Sequence, residues 1–375
     1  MGDWSSCTLD EVIDLQRGHD LPSTIRGDGD VPVIGSFGIT GFHDVAKYPG
    51  PGVAIGRSGA SIGVATFCAS EYWPLNTCLF VKNFKRNDPR WVFYLLDSID
   101  FSGFNSGSAQ PSLNRNYLKS IPILLPSLVE QQAIAGVLSA LDDKIESNRR
   151  LQELCMSLAS SEHGFWRGTV DSFIETTFGD FCDVFGGATP STEEPSYWGG
   201  EFAWLTPTDV TALDAPYLFA TSRTLTEEGL RAASTRLHPK GTVFMTSRAT
   251  IGAFAVAQIP CSTNQGFIAV QPHQDSHRWF IFHEMKSRVQ LMFDLSSGST
   301  FRELSRGTFK NMAVSIPSSE ADFDRLAAVL EPLHSKASNA SQENLKLSAL
   351  RDTLLPELLS GRLRVRDTES MMENV

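Results

Sequence analysis

One pattern occurs twice in this chain, and that duplication limits the fold more than any single motif does. Gly52-Val-Ala-Ile-Gly-Arg-Ser-Gly-Ala-Ser-Ile-Gly63 returns as Gly241-Thr-Val-Phe-Met-Thr-Ser-Arg-Ala-Thr-Ile-Gly252. Ser106-Gly-Ser108 returns as Ser297-Gly-Ser299. Behind each triplet, Leu113, Arg115, Leu118, Lys119 and Pro126 are echoed by Leu304, Arg306, Phe309, Lys310 and Pro317. A heptad-like stretch follows each copy. The order is globule, helix, globule, helix, so the 375 residues divide into two similar domains.

In the first globule, short apolar runs alternate with turn residues: Val31-Pro-Val-Ile34, Gly50-Pro-Gly52, Val53-Ala-Ile55 and Cys78-Leu-Phe-Val81. Such spacing predicts short, mostly antiparallel strands. Trp91–Ile99 and its counterpart Trp279–Met285 read as buried helices, and Ile121–Leu125 and Met312–Ile316 as closing strands. Each globule is therefore expected to be an α+β domain on one small curved sheet.

The first long helix is expected after Pro126-Ser127, with Ser127 and Glu130 at capping-box spacing. Its apolar stripe is Ile134, Val137, Leu138, Leu141, Ile145, Leu151, Leu154, Cys155 and Leu158. Asn148 and Gln152 interrupt the stripe, as polar residues do where a helix-pair register must be fixed. Gly164 and Gly168 end it. The second helix opens at Pro317-Ser318 and shows Leu326, Val329, Leu330, Leu333, Leu345, Leu347, Leu350, Leu354 and Leu358. Pro356 predicts a kink and Gly361 a cap. The two stripes are expected to bury each other as an antiparallel coiled coil about a pseudo-two-fold axis. A helix of about 33 residues is roughly 50 Å long, against about 34 Å for one turn of DNA.

Net charge is −11, which argues against non-specific nucleic-acid binding. Its distribution is more informative. Residues 1–46 hold eight acids and two bases, whereas 47–119 hold eight bases and four acids. The second half repeats this, with nine acids and no Lys or Arg in 171–222, then eleven bases and six acids in 223–310. A basic remainder behind each acidic opening suits contact with phosphates. Duplex DNA read at two half-sites is the leading partner. The loops Gly56–Gly59 and Thr246–Ala249 each offer Ser and Arg, as tight turns or as contacts to phosphate and guanine edges. The polar loops Asn105–Gln110 and Ser296–Arg302 are open to the same two readings.

No catalytic pattern emerges. There is no GxxxxGK[ST], GxSxG or HExxH. Asn87-Asp-Pro-Arg-Trp91 only faintly resembles the Asn-Pro-Pro-aromatic loop of amino-methyltransferases. His273, His277 and His283 read as surface or helix residues, not metal ligands. Asp294, Glu303 and Lys310 form only a weak nuclease-like set. The six cysteines lack CxxC or zinc spacing and fit small apolar residues in a reducing cytoplasm. The first residues lack a signal peptide's basic and apolar regions, and no apolar run reaches the ~18 residues of a membrane span.

Ile121-Pro-Ile-Leu-Leu-Pro-Ser-Leu-Val-Glu-Gln-Gln132, then Leu141-Asp-Asp-Lys-Ile145 and Asn148-Arg-Arg150, resembles the central-helix signature of type I restriction–modification specificity subunits. Leu354–Val365 resembles that family's C-terminal end. The second copy departs, carrying Asp322-Phe-Asp324 where the first has Glu130-Gln-Gln132. The resemblance implies two target-recognition domains, each reading half of a bipartite site in double-stranded DNA. It implies helices that set the spacing and dock two methyltransferase subunits, which restriction–translocase subunits then join. It also implies no catalysis or cofactor in this chain, with S-adenosylmethionine, ATP and Mg used by the partners, in the cytoplasm and away from membranes. A repeat-built protein adaptor or a stand-alone DNA-binding protein is the alternative.

The expected domains are 1–126 and 166–317, with helices at 127–165 and 318–363 and a disordered tail at 364–375. The expected DNA-binding residues are Arg57, Ser58, Lys82, Lys85, Arg86, Arg115 and Lys119 in the first globule. In the second they are Arg223, Lys240, Ser247, Arg248, Arg302, Arg306 and Lys310. The expected subunit-docking residues are Glu130, Gln131, Gln132, Asp142, Asp143, Lys144, Asn148 and Arg149.

Overall fold

The computed structural model of the chain describes residues 4–104, 112–248, 250–298 and 302–365. Ser106-Gly-Ser108, Ala249, Ser299 and the tail from Arg366, all singled out above, lie outside the described residues. The chain forms two compact units, Met1–Lys144 with Leu347–Val375, and Ile145–Lys346.

In the first unit, strand Gly52–Gly56 is buried along its whole length. It pairs antiparallel with Ala65–Cys68 on one side and Cys78–Asn83 on the other, and Asp14–Arg17 completes a four-stranded sheet. A strand without polar alternation is buried on both faces. Val53 and Ile55 pack with Trp91, Val92 and Leu96 of helix Pro89–Ser98, whereas Ala54 joins Ile34, Tyr72 and Phe80 on the opposite face. Asp88 caps that helix, its carboxylate accepting from Trp91 N at 2.9 Å, and Pro89 occupies the first turn.

The second unit repeats the plan. Strand Val243–Thr246 pairs antiparallel with Phe254–Ala257 and Phe267–Pro272. Val243 and Met245 face helix Arg278–Ser287 and Phe244 faces the other side. Cys182–Gly186 and Tyr217–Leu218 flank the sheet.

The expectation of one curved sheet per globule is corrected by the coordinates. Among the described residues each unit holds three sheets. The first has four, three and two strands; the second has five, three and two. Both three-stranded sheets contain a parallel pairing, Val33↔Trp73 in one and Ala203↔Cys261 in the other. Such long-range pairs leave no periodic trace in sequence. The two-stranded sheets close each globule, Ser5–Thr8 against Pro122–Leu125 and Phe173–Thr177 against Ala313–Pro317.

The long helices are Leu128–Arg167 and Glu320–Leu359. The first passes through Gly164 and ends before Gly168. The second runs on through Pro332 and Pro356, and Gly361 follows it at φ +70°. Only half of the expected capping box forms. Ser127 Oγ accepts from Glu130 N at 3.3 Å, but the Glu130 carboxylate turns to Trp4 Nε1 at 2.7 Å and to Arg364. Arg364, expected in a disordered tail, is thereby part of the first unit.

The buried seam of the first helix is Gln131, Ile134, Leu138, Leu141, Ile145, Asn148, Gln152, Cys155, Ala159, His163 and Trp166. Leu154 and Leu158, expected inside, are exposed, as are Val329 and Leu345 on the second helix. Past Ile145 the seam is held by Asn148 and Gln152, which interrupt the stripe in sequence, and by Cys155, Ala159, His163 and Trp166, so Leu154 and Leu158 fall off it. In the first unit Arg351 Nη1 donates to Asp142 at 2.9 Å and Arg364 reaches Glu130. In the second, Asn344 Nδ2 donates to Ile145 O at 3.2 Å and Trp166 Nε1 to Asp322 O at 3.1 Å. In each unit, then, numbers rise along one helix as they fall along the other. No described helix is long and apolar enough to cross a membrane.

Candidate nucleic-acid interface

The sheet's central strand ends, in each unit, on the Ser/Arg loop. Arg57 N donates to Thr77 O at 3.0 Å, and Arg57 O accepts from Leu113 N at 2.8 Å. In the second unit Ser247 N donates to Gly266 O at 2.8 Å, and Ser247 O accepts from Leu304 N at 2.9 Å. Ser58 bridges Ser112, and Arg248 bridges Glu303. Arg57 therefore holds the place of Ser247, and Ser58 that of Arg248. Matching the letters had set Ser58 against Ser247, one position out. The first loop has six residues, 57–62, between Gly56 and Gly63, and the second has five, 247–251, between Thr246 and Gly252.

Neither arginine is simply free. Arg248 Nη2 lies 2.8 Å from Glu303 Oε1, with both side chains half-exposed. Arg57 Nη1 donates to Asn76 O at 3.3 Å. Burial first, then Arg17, lowers the Arg57 pKa. Ser58 is half-buried, and Ser247 is buried.

The other first-unit cations gather at the far end of strand Cys78–Asn83. Lys82, Arg115 and Lys119 line a cleft of about 620 Å³ together with Asp10, Asp14 and Asn116. Lys85 sits 2.9 Å from Asp14 and also donates to the Asp10 carbonyl, so acids neutralise part of this group. Arg86 is exposed at φ +70°.

In the second unit, Lys240 precedes strand Val243–Thr246 and Ser247 follows it. A strand of that length spans roughly 13 Å, so the fold separates these two. Arg302 lies over the Phe293 ring at 4.4 Å and donates to Phe293 O at 3.2 Å. Arg306 and Lys310 belong to the short helix Arg306–Lys310 and are exposed. Arg223 rests on Trp198, its Cζ 3.4 Å from the ring centroid.

The helix residues split in two. Gln131 is 2% exposed: its Oε1 accepts from Asp88 N at 2.9 Å, and its Nε2 donates to Asn87 Oδ1 at 2.8 Å and Pro126 O at 3.0 Å. Asp142 accepts from Tyr94 Oη at 2.6 Å and from Arg351, and burial first, then this carboxylate, pushes the Tyr94 pKa far up. Asn148 is buried, donating to Asn344 Oδ1 at 2.9 Å and Glu343 Oε2 at 2.8 Å. These side chains, with Glu130, bond within the chain itself. Gln132, Asp143, Lys144 and Arg149 are exposed, Arg149 bonding to Asp214 at 2.9 Å.

Asn87, part of the methyltransferase-like stretch, donates to Val12 O at 2.8 Å and is structural. Asp294 accepts from Gln290 at 3.0 Å, and Glu303 pairs with Arg248. Among the described residues no grouping of three or more His, Cys, Asp or Glu could hold a metal. All six cysteines are free. Burial pushes Cys78, Cys182 and Cys261 up to about 12, as small apolar residues would show.

Residues 1–155 and 173–347 each match the type I restriction modification DNA specificity domain. The chain belongs to this family. The MjaIX specificity subunit of Methanocaldococcus jannaschii is 36% identical over 167 residues, 44% of this chain and 38% of that protein. The EcoR124I/EcoR124II specificity subunit of Escherichia coli is 27% identical over 213 residues, 53% of this chain and 51% of that protein. The chain thus spans only about two-fifths to half of the length of these relatives. A solved restriction–modification S subunit from M. genitalium shares the fold at TM-score 0.69 and 18% identity, over 95% of this chain and 96% of that one. The family is one of DNA specificity, and the duplicated α+β domain is its fold.

Sequence reading of this specificity-family chain missed Trp198, Trp204 and Asn344. It named Glu303 only in a nuclease-like set and not as the partner of Arg248. The tryptophans carried a signal too, in Trp198-Gly-Gly-Glu-Phe-Ala-Trp204, whose glycines mark a bulge.

Proposed function

We propose that this chain is the DNA-specificity subunit of a type I restriction–modification complex, each unit reading one half of a bipartite duplex site. The family match over both copies carries this reading. The oppositely ordered contacts of the long helices support an antiparallel coiled-coil spacer with pseudo-two-fold symmetry. The recognition domains are 1–126 and 166–317, and the spacer helices lie within 127–165 and 318–363. Catalysis, with S-adenosylmethionine, ATP and Mg, belongs to methyltransferase and restriction–translocase subunits. Two methyltransferase subunits dock on exposed helix residues. Gln132, Asp143, Lys144 and Arg149 supply polar contacts, and the exposed Leu154, Leu158 and Phe165 supply apolar area.

Lys82, Arg86, Arg115 and Lys119 in the first unit, and Lys240, Arg306 and Lys310 in the second, are the phosphate contacts, joined by the loop residues Arg57, Ser58, Ser247, Arg248 and Arg302. They would fix register without reading sequence. The test is footprinting of the full chain assembled with its methyltransferase subunits. Two protected segments with an unprotected spacer are expected. Replacing residues 1–131 with another family member's segment should change only one of them. Protection of one short continuous segment, or salt-insensitive binding, would refute the reading and favour a protein adaptor.

A further inference from the structure

Arg223 is the first Lys or Arg after Arg167, and the nine acids of residues 171–222 precede it. Yet no carboxylate oxygen of a described residue lies within 4.0 Å of its nitrogens. An indole holds it instead. Strand Trp198–Leu205 pairs with the edge strand Arg223–Leu225, and Trp204 lies directly opposite Arg223. The register slips between Trp198 and Phe202, so both face Leu225. Gly199, at φ +81°, permits the bulge. At Gly200 a Cβ would lie 2.5 Å from Leu225 O, so only glycine fits.

The bulge folds Trp198 back against Trp204, edge to face at 4.9 Å. Arg223 covers the Trp198 ring at 3.4 Å and stands 5.5 Å from that of Trp204. A guanidinium carbon that close to a ring centroid lies flat on it. One face is then desolvated and the side chain is held, while the donors at its rim point outward. Trp198 Nε1 is anchored on Ser191 O at 3.1 Å and Trp204 Nε1 on Ala188 O at 3.2 Å. Both rings are fixed from behind.

We propose that Arg223, held on Trp198, reads a guanine through N7 and O6 in the half-site of the second unit. This rests on the DNA-specificity reading above. The Asp209 carboxylate, which accepts from Ser222 N at 2.9 Å beside Arg223, disfavours a phosphate there, whereas a guanine edge carries two neutral acceptors matched to a flat donor fork. The first unit differs at this place. Leu75 N donates to Ile34 O at 2.8 Å as Asn264 N donates to Leu205 O at 3.2 Å, which aligns Val33 with Trp204. Thr40, whose Oγ1 donates to Val33 O at 3.2 Å, then stands where Arg223 does. The two units present different chemistry from one shared position.

The experiment selects sites from a randomised duplex library with the full chain bound to its methyltransferase subunits. Wild type should enrich a two-part site with a guanine in one part. Arg223→Thr, which installs the first unit's residue, should lower discrimination for that guanine about 10- to 100-fold and leave the other part unchanged. Arg223→Lys should keep part of it, and Trp198→Leu should weaken it while Arg223 remains. Thermal melting of each variant confirms folding. An unchanged selected sequence in Arg223→Thr overturns the inference, whether affinity is unchanged or uniformly weaker. A wild type that enriches no two-part site overturns the underlying reading instead.

Discussion

Acidification from pH 7 to pH 5 should destabilise the second unit through three buried histidines. His283 and His334 face each other with Nε2 to Nε2 at 3.0 Å, so one must donate and the other accept. Tyr217 Oη lies 2.9 Å from His334 Nδ1, and the Trp279 ring lies flat on His334 at 3.5 Å. His163 stacks on His283, Glu284 follows it in the chain, and Glu331 binds Trp279 Nε1. Burial first, then His163 and Lys286, pushes His283 down to about 3. Burial, then His283 and Lys286, pushes His334 down to about 2. In His238, burial and then Arg236 give about 4. An unfolded chain protonates histidine near 6.5. Folded values below the unfolded one mean that stability is complete above pH 6.5 and falls as pH drops through it, because only the unfolded state takes up protons. By pH 5 each histidine costs about 2 kcal/mol, so the three together cost roughly 5–6 kcal/mol. That sum requires only that the folded values stay well below 5. The assay is urea denaturation at both pH values, with amide exchange in Val243–Thr246 reporting the second unit. A loss under about 1 kcal/mol would refute the reasoning, as would an undiminished pH dependence in His334→Gln.

Three further outcomes follow from packing. Gln131→Ala leaves Asp88 N, Asn87 Oδ1 and Pro126 O unpaired; a cost of about 3 kcal/mol and faster exchange of the Asp88 amide are expected, and an unchanged melting temperature would contradict this. Gly56→Ala puts a Cβ 1.9 Å from Ser61 O and 2.4 Å from Ser36 O. Backbone cannot yield as a side chain does, so denaturation should show a loss of about 1–3 kcal/mol. Phe323→Ala opens a cavity among Phe181, His277 and Phe280, and calorimetry should register a loss of about 3–5 kcal/mol.

The duplicated order of elements was legible because Ile62-Gly63 and Ile251-Gly252 close the same turn behind each central strand. Helix Pro89–Ser98 was legible for a local reason as well, since Asp88 and Pro89 are a cap and a first-turn residue. The seam of the first long helix was legible through Ile145 and at Asn148, Gln152 and Cys155. Ala159 and His163 were not, because neither is an apolar letter of the stripe, and Leu154 and Leu158 turn outward. The Ser/Arg loops were visible as loops. The pairing of Arg248 with Glu303 and the stacking of Arg223 on Trp198 were not, because both depend on register between distant strands.

At the start of helix Pro89–Ser98, Gln131 of the long helix fastens to Asn87 and Asp88. At the start of helix Arg278–Ser287, Phe323 lies against His277 at 4.1 Å. One copy locks its globule to its rod with an amide and the other with a ring, and these locks do not accept each other's key. Shuffling of globules between such chains, in the laboratory or in genomes, should therefore favour junctions downstream of this lock. A break placed just before it would strand an amide in an oily socket or a phenyl ring among polar groups, and so would select against hybrids whose domains and rods came from different halves.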